Sequence, residues 1–201
     1  MRMTDILKKR KLLPLYTVND LSICKSIGKA LVNGEVPFIE VAYRSSFASE
    51  GIKSFSEVEG LIVGAGTITN ERQAEEAIAA GAKFIVTPGL SEQVIRTAQK
   101  HAIPVFPGVA TATEIIKALS YDINELKFFP AEEMGGIKGV EALHGPFLHC
   151  SFIPSGGVNL DNYKEYQSLD YVLAVSGSFV LPKKLIDAEN WQDLARFIRQ
   201  L

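Results

Sequence analysis

The sequence predicts an α/β protein that folds as a single (β/α)8 TIM barrel over residues 1–201. Three observations support this prediction. Short apolar runs alternate with helix-like stretches, a pattern typical of a parallel sheet covered by helices. There are eight such runs, as many as the barrel has strands, in a chain of 201 residues, which is near the lower size limit of this fold. Turns that contain Gly or Pro separate the units.

The predicted strands are bounded on both sides by turn-forming or polar residues. In chain order they cover 12–16, 36–42, 61–63, 84–86, 105–106, 126–129, 152–153 and 171–175. A doubly wound open sheet is the main rival, but it predicts fewer units and a Gly-rich first turn. We find no linker or low-complexity segment that would indicate a second domain.

Capping signals mark three of the predicted helices, over 70–80, 91–101 and 111–119. Asn70, Ser91 and Thr111 stand at the N-cap of these helices, and Glu114 has the spacing of a capping box with Thr111. Gly81 follows the first of them, where a left-handed C-cap is expected. These signals mark where the predicted helices begin and end between the predicted strands.

Bulk composition excludes several classes of protein. A net charge of −2 argues against a general nucleic-acid-binding surface. No apolar run approaches the roughly 18 residues of a membrane span, and the basic N-terminus lacks the pattern of a signal peptide. Cys24 and Cys150 are far apart and form no CxxC motif, so we expect a reducing, cytoplasmic compartment.

The second predicted strand contains a carboxylate. Side chains alternate across a strand, so Phe38, Glu40 and Arg44 share one face, which can point into the barrel. A buried carboxylate is costly unless it is paired or functional. A structural Glu40–Arg44 ion pair therefore stays open beside a functional role.

The sixth predicted strand contains an amine, Lys127, between apolar neighbours. Burial disfavours the charged ammonium, and a neutral amine is the nucleophile that attacks a ketone to form an imine. The alternative is that Lys127 extends from the strand end into solvent. Taken together, Lys127, a general base at Glu40 and a carboxylate-binding fork at Arg44 indicate imine chemistry on a 2-keto acid.

Gly-containing segments follow several of the predicted strands. Those at 64–67, 87–89 and 106–108 fit either a ligand face or ordinary turns. Those at 155–157 and 176–178 follow the seventh and eighth runs, where barrels of this kind bind phosphate through backbone N–H groups. The last two segments therefore predict a phosphate subsite.

These motifs, in this order, resemble those of the 2-keto-3-deoxy-6-phosphogluconate (KDPG) and 4-hydroxy-2-oxoglutarate (KHG) aldolase family. The most specific is Lys-Phe-Phe-Pro-Ala-Glu at 127–132, and the resemblance runs over nearly the whole chain. It implies class I chemistry without metal or other cofactor, usually in a homotrimer. The implied reaction cleaves a 2-keto-4-hydroxy acid, foremost KDPG, to pyruvate and glyceraldehyde 3-phosphate.

The resemblance also implies roles for individual residues. Lys127 would form the imine and Glu40 would be the general acid and base. The substrate-binding positions are Arg44 and Thr67 for the carboxylate, Pro88 and Phe129 for the pocket wall, and Gly156, Gly157, Gly177 and Ser178 for the phosphate.

The chain departs from the family pattern near substrate-binding positions. Ser155 and Ser176 stand where Thr and Gly are common, Tyr43 precedes Arg44, and the first strand lacks an arginine at its end. KHG and the galactonate epimer of KDPG therefore stay open as substrates.

Three other classes of protein also stay open. A metal-dependent lyase needs a ligand cluster, and the three histidines show no such spacing. An isomerase or synthase on a phosphate-binding barrel, and a non-catalytic phosphosugar-binding barrel, would keep the Gly-rich turns. Neither of these two classes requires Lys127 and Glu40 together.

Overall fold

The computed structural model describes residues 3–201, in which strands and helices alternate along the chain. The strands are β1 Leu12–Tyr16, β2 Phe38–Ala42, β3 Ile62–Gly66, β4 Ile85–Val86, β5 Val105–Phe106, β6 Gly108–Val109, β7 Glu125–Phe128, β8 Ser151–Pro154 and β9 Val175–Gly177. The α-helices are α1 Met3–Arg10, α2 Cys24–Asn33, α3 Ala48–Ser56, α4 Glu71–Ala79, α5 Glu92–Lys100, α6 Ala112–Leu119, α7 Gly136–His144, α8 Tyr163–Gln167, α9 Lys183–Asp187 and α10 Trp191–Gln200. A 3-10 turn, Ser178–Val180, follows β9.

The strands form a closed parallel barrel. Six pair in the order β5-β4-β3-β2-β1-β9, and the other three pair in the order β6-β7-β8. β5 and β6 are two halves of one barrel strand, separated by Pro107. Isolated parallel bridges, Phe152–Val172 and Ser155–Ser176, join β8 to the β9 segment. The predicted (β/α)8 barrel is confirmed, and the open-sheet alternative is wrong.

Two apolar layers hold the barrel together. The larger one packs the outer faces of the strands against the helices. The smaller one fills the interior, where the Phe84 ring meets Phe38 and Phe106 edge-on, with centroids 6.5 Å and 6.0 Å away. Leu7 of α1 packs into this interior cluster. Because α1 directly precedes β1, it closes the N-terminal end of the barrel.

The largest errors in the predicted strand boundaries are at three strands. Gly64–Gly66 lie inside β3 rather than in a loop after it, because small residues there leave room for neighbouring side chains. The strand at 105–106 continues beyond Pro107, since Gly108 and Val109 pair with β7. The last strand begins at Val175, so Ser176 and Gly177 belong to β9.

The predicted helix caps are largely confirmed. Asn70 Oδ1 accepts a hydrogen bond from the backbone N–H of Gln73, and Thr111 forms a full capping box with Glu114. Gly81 has a left-handed φ of 110°. Ser91 occupies the N-cap position of α5, but its side chain makes no capping hydrogen bond.

We expect Thr111→Ala to lower the free energy of unfolding by about 1 kcal/mol, because the first turn of α6 loses its side-chain acceptor. Glu114 Oε2 would also lose the hydroxyl that donates to it at 2.9 Å. Ser91→Ala is the matched control, since Ser91 has the same N-cap backbone position without the bond. Urea denaturation of the two variants measures the difference, and equal destabilisation would contradict the capping argument.

No helix within residues 3–201 is long and apolar enough to cross a membrane. Cys24 and Cys150 are both buried free thiols.

Candidate active site

Glu40 points into the barrel from β2. It follows Phe38, a member of the interior cluster, by two residues and so lies on the same face. Its strand neighbours in register are Leu15 on β1 and Gly64 on β3. The residue is fully buried, with 0% of its surface exposed. Barrel closure therefore places a carboxylate above the apolar interior layer.

Lys127 reaches the same point from β7. It is 2% exposed, and its Nζ lies 3.4 Å from Glu40 Oε1. The amine also lies over the Phe129 ring, 5.2 Å from the centroid, where the ring face attracts a cation. The alternative in which Lys127 extends into solvent is wrong. So is the Glu40–Arg44 ion pair, because Lys127 is the partner of Glu40.

This ion pair is too loose to be explained by stability alone. Taking each charge out of water costs several kcal/mol, which only close contact and further hydrogen bonds repay. Charge-assisted N–H···O bonds typically span about 2.7–2.9 Å, whereas this one spans 3.4 Å. A contact of this length repays little of the desolvation cost, which favours a functional role for the pair over a structural one.

The glycines of β3 create the space for these side chains. A methyl group on Gly66 would overlap Glu40 Oε1 and lie 2.6 Å from its Cγ. A methyl group on Gly64 would overlap the Phe84 ring. The backbone N–H of Ala65, between the two, donates to Phe84 O. Gly64 and Gly66 therefore leave the space that the side chains of Phe84 and Glu40 occupy.

We expect Gly66→Ala to lower kcat by roughly tenfold or more, because the added methyl displaces Glu40 from Lys127, and a misplacement of this size at a reacting group is costly. Gly145→Ala is the matched control, since its added methyl would meet only backbone oxygens at 3.7 Å and 3.8 Å. Steady-state kinetics and the thermal midpoint should be measured together. Full activity in a folded Gly66→Ala variant would contradict the assigned geometry.

A cavity of about 580 Å³ lies beside the C-terminal ends of β1 and β9, and neither Glu40 nor Lys127 lines it. Its lining includes two predicted site residues, Arg44 and Ser178. Lys183, which also lines it, is paired with Asp187 at 2.6 Å, so Arg44 remains the cation available to an anionic ligand. Burial raises the pKa of Tyr16 on the cavity wall to about 12, with smaller contributions from Cys24, Asp20 and Asp187.

The remaining predicted residues lie on several strands and turns, and contacts link two of them, Gly156 and Pro88, to the surroundings of Lys127. A methyl group on Gly156 would lie 3.1 Å from the Phe129 ring, so this turn touches the aromatic neighbour of the amine. Pro88 packs against Gly108, which pairs in register with Lys127. Gly156 and Gly157 have left-handed φ angles of 91° and 79°, and so does Thr67, at 60°. Gly177 extends β9 directly before Ser178.

Two residues near the Gly156–Gly157 turn were not predicted from the sequence. Tyr166 donates a 2.5 Å hydrogen bond to Glu132 Oε1, and a methyl group on Gly157 would overlap Glu132 Cγ. Burial, together with the bond to Glu132, raises the pKa of the Tyr166 phenol. Glu132 thus joins α8 to the turn. The pairing gave no sequence signal, because 34 residues separate its members.

Within residues 3–201 no three His, Cys, Asp or Glu side chains cluster as metal ligands would. The closed parallel barrel and the buried Lys127–Glu40 pair inside it fit a lyase that uses an amine. The chain belongs to the KDPG and KHG aldolase family, because the sequence model of that family matches residues 3–197.

Known relatives are similar over nearly their full length. The chain is 38% identical over 197 residues to a 2-dehydro-3-deoxy-phosphogluconate aldolase of Dickeya dadantii, covering 98% of this chain and 92% of the relative. A KDPG aldolase from Legionella pneumophila, solved with pyruvate captured at low pH as a covalent carbinolamine intermediate, has 30% identity and a TM-score of 0.91, with 100% and 98% coverage.

A second solved structure carries a phosphorylated ligand. It is the KDPG aldolase of Zymomonas mobilis ZM4 with 3-phosphoglycerate, at 32% identity and a TM-score of 0.91. The match covers 99% of this chain and 96% of that one.

Proposed function

We propose that this protein is a class I aldolase that cleaves KDPG reversibly to pyruvate and glyceraldehyde 3-phosphate. One observation carries the proposal: a buried amine, Lys127, faces a buried carboxylate, Glu40, at 3.4 Å in the C-terminal half of the barrel. Family membership and the similarity to an aldolase holding a pyruvate carbinolamine support it.

Lys127 supplies the covalent step. Its neutral amine attacks C2 of the 2-keto acid, and loss of water gives a protonated imine that accepts electrons from the breaking bond. Glu40 takes the proton of the C4 hydroxyl, directly or through one water. The C3–C4 bond then breaks to release the aldehyde and leave an enamine on Lys127. Glu40 returns a proton to C3, and hydrolysis frees pyruvate and the amine.

The substrate is bound at its two ends. In the proposal, Arg44 and Thr67 bind the keto-acid carboxylate, while Pro88 and Phe129 wall the pyruvyl group. The phosphate binds to backbone N–H groups of the turns at Gly156–Gly157 and Gly177–Ser178. Left-handed φ angles at Gly156 and Gly157 support such a concave turn, since glycine adopts them without strain.

The proposal extends to the cellular location, the binding partners and the oligomeric state of the enzyme. We infer a cytoplasmic enzyme that works on a small molecule, with neither nucleic acid nor membrane as partner. We also infer a homotrimer, which light scattering of the purified protein would test directly.

A coupled assay for pyruvate release tests the function. Its substrates are KDPG, the galactonate epimer of KDPG and KHG, measured at matched concentrations. We expect the highest kcat/KM with KDPG. A preference for KHG would keep the chemistry and overturn the phosphate subsite. No pyruvate release from any of the three would overturn the aldolase assignment.

A further inference from the structure

Ser176 is a second buried polar contact of Glu40. It lies in β9, paired in register with Leu13 of β1, and 0% of its surface is exposed. Its hydroxyl donates to Glu40 Oε2 at 3.0 Å, while Lys127 contacts Oε1. The two oxygens of the carboxylate therefore have different partners, one on β9 and one on β7, with β8 between these two strands.

The other strands beside Glu40 provide no comparable donor. On β1 its partner in register is Leu15, and Tyr16 lies on the outer face, with its ring 6.2 Å from Phe55. On β3 the neighbours are Gly64 and Gly66, which have no side chains. A buried hydroxyl in this apolar interior is costly unless it is bonded. Its bond to the carboxylate repays that cost.

Ser176 differs from Lys127 in what happens to it during the proposed reaction. When Lys127 becomes an imine, its ammonium hydrogens are lost or redirected, and its contact with Glu40 changes. The serine hydroxyl takes no part in bond making, so its bond to Oε2 can persist through every step. A contact that persists can hold the carboxylate in one orientation while protons move.

We propose that Ser176 is a positioning residue that holds Glu40 for proton transfer after the imine has formed. The inference rests on the proposed aldolase function. It assigns Ser176 to the steps in which Glu40 takes or returns a proton, and not to attack by Lys127. Loss of the hydroxyl should therefore slow proton transfer and leave imine formation intact.

Exchange of the pyruvate methyl protons isolates those steps. On Lys127, pyruvate forms an imine; the C3–H bond breaks, its electron pair forms the enamine C2=C3 bond, and the proton passes to Glu40. In D₂O, a deuteron then returns to C3, and hydrolysis releases labelled pyruvate. NMR measures the exchange rate, and borohydride trapping followed by intact mass measures the imine. Neither measurement requires the natural substrate.

For Ser176→Ala we expect the exchange rate to fall roughly tenfold or more, the effect of losing a hydrogen bond to a charged group. The amount of borohydride-trapped adduct should stay within about twofold of that of the native protein, because attack by Lys127 does not depend on the Ser176 hydroxyl and its activation free energy is unchanged. Thr97→Val is the matched control, because Thr97 is also a buried hydroxyl but donates to Gln93 O within α5. It should change neither measurement.

Three results would separate the possible failures. Native exchange in Ser176→Ala would overturn the positioning role. A proportional loss of trapping and exchange would also overturn it, because a general structural defect moves both. No exchange by the native protein would instead overturn the proposed function. Ser176→Cys replaces the hydroxyl by a slightly larger group that is a weaker donor, and the same split is expected from it if the alanine variant does not fold.

Discussion

Replacing Lys127 by alanine is expected to abolish pyruvate release and to remove the borohydride-trapped adduct. The amine is the nucleophile of the proposed reaction, and no other described side chain contacts Glu40 with an amine. The loss should exceed the roughly 10²–10⁴-fold typical of removing a general acid or base, because no imine can form at all. Intact mass after incubation with pyruvate and borohydride, followed by peptide mapping, provides the measurement.

Two further variants make this test specific. Lys127→Arg keeps a cation beside Glu40, but a guanidinium stays protonated and does not form an imine, so it should be inactive as well. Lys138→Ala removes an exposed lysine of α7 and should react like the native protein. An adduct that persists in Lys127→Ala, or that maps to another lysine, would refute the assignment.

Replacing Glu40 by glutamine is expected to lower kcat by about 10²–10⁴-fold, the contribution of a general acid–base group. The amide has the shape of the carboxylate, and its oxygen can accept a bond from Ser176, so the barrel interior should keep its packing. Imine formation should continue more slowly, because Lys127 keeps its buried position. Kinetics of pyruvate release, measured beside borohydride trapping, would show turnover lost and the adduct retained.

Glu75→Gln is the control for a carboxylate in an ion pair. Glu75 pairs with His101 at 2.8 Å on the outer surface, far along the chain from β2, and its loss should leave turnover unchanged. Turnover within threefold of the native value in Glu40→Gln, about 0.7 kcal/mol of activation free energy, would exclude a proton-transfer role for Glu40.

The fold and the central pair could be predicted from the sequence because each depends on local pattern. Alternation of apolar runs with capped helices predicts a parallel sheet covered by helices, and the number of runs, eight, favours the barrel over an open sheet. Glu40 and Lys127 were found as charges within apolar strands, where an unpaired charge is costly. This cost identifies buried charges as candidate site residues but does not identify the residues that pair with them. For that reason Arg44 remained a possible partner of Glu40.

The missed features depend on contacts between distant segments. Ser176 follows the same rule as Glu40, being a polar residue in an apolar strand, but its Gly-rich surroundings indicated a turn. Pro107 indicated a strand end, yet a barrel strand can continue past a residue that only removes one backbone donor. The cavity beside β1 combines residues of that strand with residues beyond β9, and no spacing along the chain links them.

The closed N-terminal end of the barrel has a kinetic consequence. Because Leu7 of α1 and the phenylalanine cluster fill that end, we expect ligands to reach Lys127 from the C-terminal side of the barrel. In the proposed reaction the aldehyde has no bond to the protein while pyruvate is still attached to Lys127, so we expect the aldehyde to leave first. In the synthetic direction we expect pyruvate to bind before the aldehyde, and excess aldehyde to slow the binding of pyruvate from the same side.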